Sequence, residues 1–233
     1  MPLTVHHLQT SQSERLPWLL EELGIPYTLK TYPRSPLLAP PEYKALHPQG
    51  TAPVLTDSSN NLTLAESGAC IEYICHKYAG GKLFLKPGYT SYPDFLYWWH
   101  WANATFMPAV SRAFWLSRRE GGKKGGKGEE EAGMAERRVE EGLRMLDERL
   151  GENNWLAGSE FTAADVMVVF PLTTFRYFYP ELGVGRYGNV VRYLGRVGER
   201  EGYKRGMARC EPGMGLLLGA EGPEEGVMEG LRN

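Results

Sequence analysis

Between Thr10 and Glu14 the chain reads TSQSE, with two serines flanking a glutamine in a turn that leads from a short apolar stretch into a helix. Hydroxyls in such a place suit an anion, because the first N–H groups of a helix have no partner inside it and carry a positive partial charge. A second such place is LTLAESGACIEYI, Leu62 to Ile74, where Glu66 and Ser67 stand side by side at the start of an apolar helix. They read either as a helix cap, a position serine favours, or as a ligand site. In the second reading the acid takes a cation and the helix start takes an anion. A third hydroxyl–acid pair, Thr162 and Asp165, has the spacing of a capping box and reads as structural.

Other chemistries are not indicated. The three cysteines, Cys70, Cys75 and Cys210, form no CxxC and no disulfide framework, which points to a reducing, cytoplasmic compartment. His6 and His7 are adjacent in a strand and should face opposite ways, so no metal site is expected. The segment GGKKGGKGEEE, residues 121–131, lacks the P-loop pattern and any preceding strand, and reads as a flexible insertion. A net charge of −2 gives no general attraction to nucleic acid or anionic lipid. No apolar run approaches the ~18 residues of a membrane span, and the N-terminus does not read as a secretory signal.

The elements that must position these residues follow from periodicity. Residues 3–8 alternate as a strand, and 13–24 form a helix with Leu16, Leu19, Leu20 and Leu23 on one face and Gly24 as its stop. A strand is expected at 26–32, a short helix at 38–50, a hairpin of strands at 52–56 and 62–66, and a helix at 67–80. The order β-α-β-α-β-β-α suits a small mixed sheet covered by helices, residues 1–85. After a polar linker at 86–94 the pattern is all helical from 95 to 233, with helices at 95–117, 129–150, 162–178 and 187–209. The chain from Glu211 onward reads as irregular.

This order, with a proline opening the third strand, resembles the thioredoxin-like arrangement, in which TSQSE occupies the place of the redox CxxC. Four stretches in sequence order, HLQTSQSERLPWLLEELGIPY, HPQGTAPVL, LAESGACIEYI and NWLAGSEFTAADV, resemble the cytosolic glutathione transferases, in particular the fungal and bacterial serine-type branch related to the yeast Gtt enzymes. The resemblance implies a thioredoxin-like α/β N-terminal domain and an all-α C-terminal domain. It implies an enzyme that uses glutathione as co-substrate, needs no metal, acts in the cytoplasm in detoxification and forms a homodimer. It implies that the glutathione thiolate attacks an apolar electrophile, with glutathione-dependent peroxide reduction as a further activity. The alternatives are a non-catalytic binding or interaction protein of the same fold and a specialised isomerase or ether-cleaving relative.

Carried over residue by residue, Ser11 matches the catalytic serine. Ser13 is the helix-cap candidate, the two roles being exchangeable, with backbone donors or Gln9 as further choices for the thiol contact. The Ala52–Pro53 bond would be cis, with Val54 offering its backbone to the cysteinyl unit. Glu66 and Ser67 would hold the γ-glutamyl end. Gln49 and Thr51 would face the glycyl end, where many relatives have a lysine at the Thr51 position; Lys44, Arg15 or His47 would then supply the charge. Phe106, Met107, Val110 and Phe114, in an aromatic-rich helix, would line an acceptor pocket.

Overall fold

The computed structural model describes residues 1–34, 38–118 and 127–224. It resolves into two compact units, Met1–Tyr89 with Arg196–Leu216, and Thr90–Gly195 with the chain from Leu217.

The first unit is built on a four-stranded sheet, β1 (Leu3–Leu8), β2 (Thr28–Tyr32), β3 (Val54–Asp57) and β4 (Leu62–Ala65), in the order β2-β1-β3-β4. β1 runs parallel to β2 and antiparallel to β3, and β3 runs antiparallel to β4. The parallel pair needs a crossover, supplied by α1 (Arg15–Leu23). Its Leu16, Leu19 and Leu20 are buried, and Gly24 closes it in the left-handed conformation at φ +66°. A 3₁₀ turn over Gln12–Glu14 precedes α1. α2 is one turn, Pro41–Lys44, shorter than the expected 38–50, and α3 (Ser67–Tyr78) follows the hairpin.

The first unit also takes in a segment that periodicity assigned to the helical domain. The helix expected over 187–209 breaks at Arg200, which is extended (φ −71°, ψ 124°), giving α8 (Gly188–Glu199) and α9 (Glu201–Cys210). α9 packs on α1 at very close range. A Cβ on Gly206 would lie 2.7 Å from Trp18 Cα and 2.8 Å from Trp18 N, so only glycine fits. Tyr203 meets the Trp18 ring edge-on at 4.9 Å, and Arg200 grips Glu22 with two 2.8 Å bonds.

The second unit holds α4 (Tyr92–Trp101), α5 (Met107–Ser117), α6 (Lys127–Glu152) and α7 (Ala163–Leu172). A π-helical turn at Ala102–Phe106 joins α4 to α5. Of the expected insertion at 121–131, residues 121–126 lie outside the described residues and 127–131 form the first turns of α6, where Glu129 and Glu130 suit the positive helix start. α7 is buried along its whole length but ends at Leu172 rather than 178, one residue after Pro171. The Thr162–Asp165 capping box is present, and Asp165 is a hub. Its carboxylate accepts the Thr162 N–H (2.9 Å), the Thr162 hydroxyl (3.2 Å), the Leu156 N–H (3.0 Å) and the Tyr193 hydroxyl (3.1 Å). Burial pushes its pKa up to about 6 against the pull of these bonds. Residues 212–224 are irregular yet tied down, because the buried Arg176 guanidinium bonds to the carbonyls of Leu217, Gly219, Ala220 and Glu221.

Candidate functional site

The turn between β1 and α1 is held in an unusual shape. Thr10 has φ +51°, uncommon for a β-branched residue. Its N–H donates to the Glu211 carboxylate, and Arg34 donates to the carbonyls of Gln9 (2.9 Å) and Thr10 (2.7 Å). This fixes Ser11, which caps the 3₁₀ turn by accepting the Ser13 N–H at 3.2 Å. Ser11 Oγ also lies 2.6 Å from the Leu8 carbonyl oxygen and 2.7 Å from Ser13 Oγ, two contacts that compete for its one hydrogen. Ser13 is fully buried, accepts the Leu8 N–H (3.1 Å) and lies 2.8 Å from His7 Nδ1. The structure therefore gives the serines different positions: Ser11 is the cap and lies at the outer end of the pair (4% exposed), and Ser13 lies beneath it.

From this turn a chain of contacts leads to the second hydroxyl–acid pair. Gln12 reaches the Ala52 carbonyl at 3.4 Å and accepts from Arg15 at 2.8 Å. Arg15, fully buried, also donates to Ser67 Oγ at 2.9 Å. Burial lowers its pKa to about 10, which leaves it a cation at neutral pH. Sequence reasoning offered Arg15 as a partner for a distant carboxylate, but its burial on α1 makes it the group that orients Ser67. Glu66 is exposed at the start of α3, with φ +70° and ψ 119°, and accepts from Gln49 Nε2 at 2.5 Å. Gln49 and Thr51 are exposed, and Lys44 and His47 belong to the same turn: the Lys44 side chain lies along Gly50, and His47 Nδ1 accepts the Gln49 N–H at 3.2 Å.

The Ala52–Pro53 bond is cis. Val54 is not placed as expected. It is fully buried and paired with His6 on one side and Ala65 on the other. A residue inside a central strand has its N–H and C=O aimed at ladder partners. The neighbouring residue outside the ladder is Ala52, partly exposed. In the second unit, Phe106, Val110 and Phe114 are buried in that unit's own core and only Met107 keeps partial exposure. Phe106 stacks on Trp101 at 4.8 Å and lines a cavity of about 430 Å³ with Trp101, Arg112, Glu141 and Met145.

None of the cysteines is a reactive thiol. All are buried, which pushes Cys70 and Cys75 up to about 12 and Cys210 well above its ordinary value. Among the described residues no cluster of His, Cys, Asp or Glu suits a metal ion, and no helix is long and apolar enough to cross a membrane. Gln12, Ala52, His7 and Glu211 escaped the sequence reading. Gln12 alone had a signal, its place between the two serines.

The comparisons with known proteins agree with this fold. The family model for the glutathione S-transferase N-terminal domain matches residues 11–77, and that for the C-terminal domain matches residues 97–201. Glutathione S-transferase 3 of Schizosaccharomyces pombe is 30% identical over 213 residues, covering 85% of this chain and 84% of that protein. Glutathione S-transferase 1 of Saccharomyces cerevisiae is 25% identical over 187 residues, covering 73% and 79%. Among solved structures, a glutathione S-transferase from Actinobacillus pleuropneumoniae superposes with a TM-score of 0.78 at 29% identity, covering 93% of this chain and 95% of that one. A glutathione transferase family member from Pseudomonas fluorescens, solved with two glutathione molecules bound, shares the fold with a TM-score of 0.72 at 20% identity, covering 88% and 92%. On these matches and on the fold, the chain belongs to the glutathione S-transferase family.

Proposed function

We propose that this glutathione S-transferase binds glutathione on its first unit and activates the thiol at Ser11 for attack on an apolar electrophile. The observation that supports this reading is that hydrogen bonds from Gln12 to Arg15, from Arg15 to Ser67 and between Glu66 and Gln49 tie the turn holding Ser11 to the start of α3 and to the Gln49 turn. Its chemistry matches the tripeptide part by part. A free cysteine thiol has a pKa of about 8.5, so the enzyme must favour the thiolate. Ser11 Oγ and the amides opening the 3₁₀ turn and α1 supply hydrogen bonds and positive potential there. The Ala52 backbone, rather than that of Val54, pairs with the cysteinyl unit. Glu66 takes the γ-glutamyl ammonium, and Ser67 with the α3 amides takes its carboxylate. Gln49 and Thr51, with Lys44 or His47 for charge, take the glycyl carboxylate. The protein works as a cytoplasmic homodimer in detoxification, and peroxide reduction uses the same thiolate.

The test is retention on immobilised glutathione together with conjugation of an aryl halide and turnover of an organic hydroperoxide, in wild type and Ser11→Ala. Retention with turnover that collapses in Ser11→Ala is expected. Retention without turnover across a broad electrophile and peroxide panel would make the chain a binding protein, and no retention would remove glutathione from the account. Sedimentation velocity tests the dimer.

A further inference from the structure

Behind Ser11 lies a buried line of polar groups that thiolate stabilisation does not require. Ser11 Oγ is 2.7 Å from Ser13 Oγ, Ser13 Oγ is 2.8 Å from His7 Nδ1, and His7 Nε2 is 2.9 Å from Glu211 Oε1. His7 and Ser13 have no exposure and Glu211 has 6%. The arrangement has the order of an acid–histidine–serine triad, but its serine is buried and no substrate reaches it. The outlet is Ser11.

Hydrogen counting shows what the line can do. A carboxylate only accepts, so His7 Nε2 carries a hydrogen toward Glu211. With a neutral imidazole, Nδ1 is then an acceptor and Ser13 must donate to it. The 2.7 Å contact between the two hydroxyls needs one hydrogen, which must then come from Ser11, so every hydroxyl points inward and the Leu8 carbonyl, 2.6 Å from Ser11 Oγ, receives no hydrogen from it. With a protonated imidazole the order reverses: Nδ1 donates to Ser13, Ser13 donates to Ser11, and Ser11 turns its own hydrogen to another acceptor, the Leu8 carbonyl at 2.6 Å or a ligand. Only the second arrangement lets the Ser11 hydroxyl donate to a sulfur anion.

We infer that His7 and Glu211 form a proton-accepting relay that turns the Ser11 hydroxyl toward sulfur as the glutathione thiol ionises; this rests on the assignment of Ser11 to the thiol. In the step, the S–H proton passes to Ser11 Oγ, the Ser11 proton to Ser13 Oγ and the Ser13 proton to His7 Nδ1. The S–H electron pair stays on sulfur. The products are a thiolate, two neutral hydroxyls now oriented outward, and an imidazolium balanced by Glu211. His7, Ser13 and Glu211 act through Ser11 and are positioning residues.

The surroundings suit the charge change. Arg34 interacts electrostatically with Glu211 and supports the turn through the Gln9 and Thr10 carbonyls. Glu14 and the Cys210 thiol lie on the α1 and α9 sides, the thiol kept neutral by burial. His6 is paired with Tyr32 and Thr56, near Lys30, and takes no part in the line. Thr10 N–H holds Glu211 in place from the turn itself.

The experiment measures thiolate absorbance of enzyme-bound glutathione together with the protons released on binding, by calorimetry in two buffers of different ionisation heat at near-neutral pH. It compares the wild-type protein, Glu211→Gln and Ser11→Ala. The glutamine keeps an oxygen for the Thr10 N–H and the size of the side chain. Wild type should form thiolate without net proton release, because the proton stays on His7. Glu211→Gln should bind glutathione about as tightly, show about tenfold less thiolate, corresponding to about one unit in thiol pKa, and lose a similar factor in kcat with little change in KM. One proton released per thiolate in wild type would overturn the relay, as would a Glu211→Gln protein with unchanged absorbance and proton balance. Ser11→Ala separates the two layers: if it leaves the thiolate untouched, the Ser11 assignment fails. If it abolishes the thiolate while Glu211→Gln does nothing, the assignment stands and the relay fails.

Discussion

Glu66 offers a sharp separation of binding from stability. Its backbone sits at φ +70° and ψ 119°, outside the left-handed well, which for a residue with a Cβ costs about 1–3 kcal/mol. Its side chain is exposed and makes a 2.5 Å bond to Gln49, itself exposed. That side chain contributes little to the fold. Losing a hydrogen bond between a carboxylate and an ammonium costs about 1.5–3 kcal/mol, or about 10- to 150-fold in affinity. Glu66→Ala and Glu66→Gly should therefore both weaken glutathione binding by about that factor, read from quenching of tryptophan fluorescence. Their stabilities should differ. Alanine keeps the Cβ and the strain. Glycine relieves most of the strain and loses about 0.5–1 kcal/mol to chain entropy, leaving it about 1 kcal/mol more stable than the alanine variant in urea. If the two variants unfold together, no strain is held at Glu66; if both bind glutathione as wild type does, the carboxylate does not meet the ammonium.

Three further outcomes follow from the packing. Asp57 accepts from Tyr73 at 2.7 Å, from Asn60 at 2.7 Å and from Tyr78, and against burial these bonds hold its pKa down to about 2. The stability it contributes is complete above its ordinary value of 3.8 and is lost as pH falls through about 2, so the urea midpoint should drop over that window in wild type and less in Asp57→Asn. Gly206→Ala forces a Cβ against the Trp18 backbone and should cost about 1–3 kcal/mol or more, seen as a lower urea midpoint. Asp165→Ala strands the buried Leu156 and Thr162 N–H groups and should cost about 3 kcal/mol or more while leaving retention on immobilised glutathione intact in the folded fraction.

The sheet and its helices were legible because each carries its own period and punctuation: alternation in Leu3–Leu8, the leucine face and Gly24 of α1, and Pro53 ahead of β3. The places of Ser11, Glu66 and Ser67 at helix starts were legible because such starts have local signatures. Val54 misled because a strand's first residue reads the same whether its backbone faces solvent or a second neighbour, and that is decided by β1 and β4 together. The inward seating of Phe106, Val110 and Phe114 was hidden for a similar reason, since apolar spacing along one helix does not say which face a neighbouring helix covers. Arg15 is the clearest case of a charge whose role depends on burial, a quantity that exists only once α1 and α3 are packed.

Glu211 shows the limit of local reading most plainly, because it meets His7 across 204 positions of sequence. Neither residue falls within the stretches matched by the two family models, 11–77 and 97–201. What carries Glu211 to the turn is the docking of α9 on α1, made possible by Gly206 against the Trp18 backbone and sealed by the Arg200–Glu22 pair. The same docking buries the Trp18 face of α1, which the sheet does not cover. A chain ending at Tyr89 would then fail twice: α1 would expose an aromatic face, and His7 and the strained Thr10 amide would both lose the carboxylate they share. The first unit is for that reason not a detachable thioredoxin-like domain. Its sheet is complete by residue 65, but the turn that presents Ser11 is complete only at residue 211.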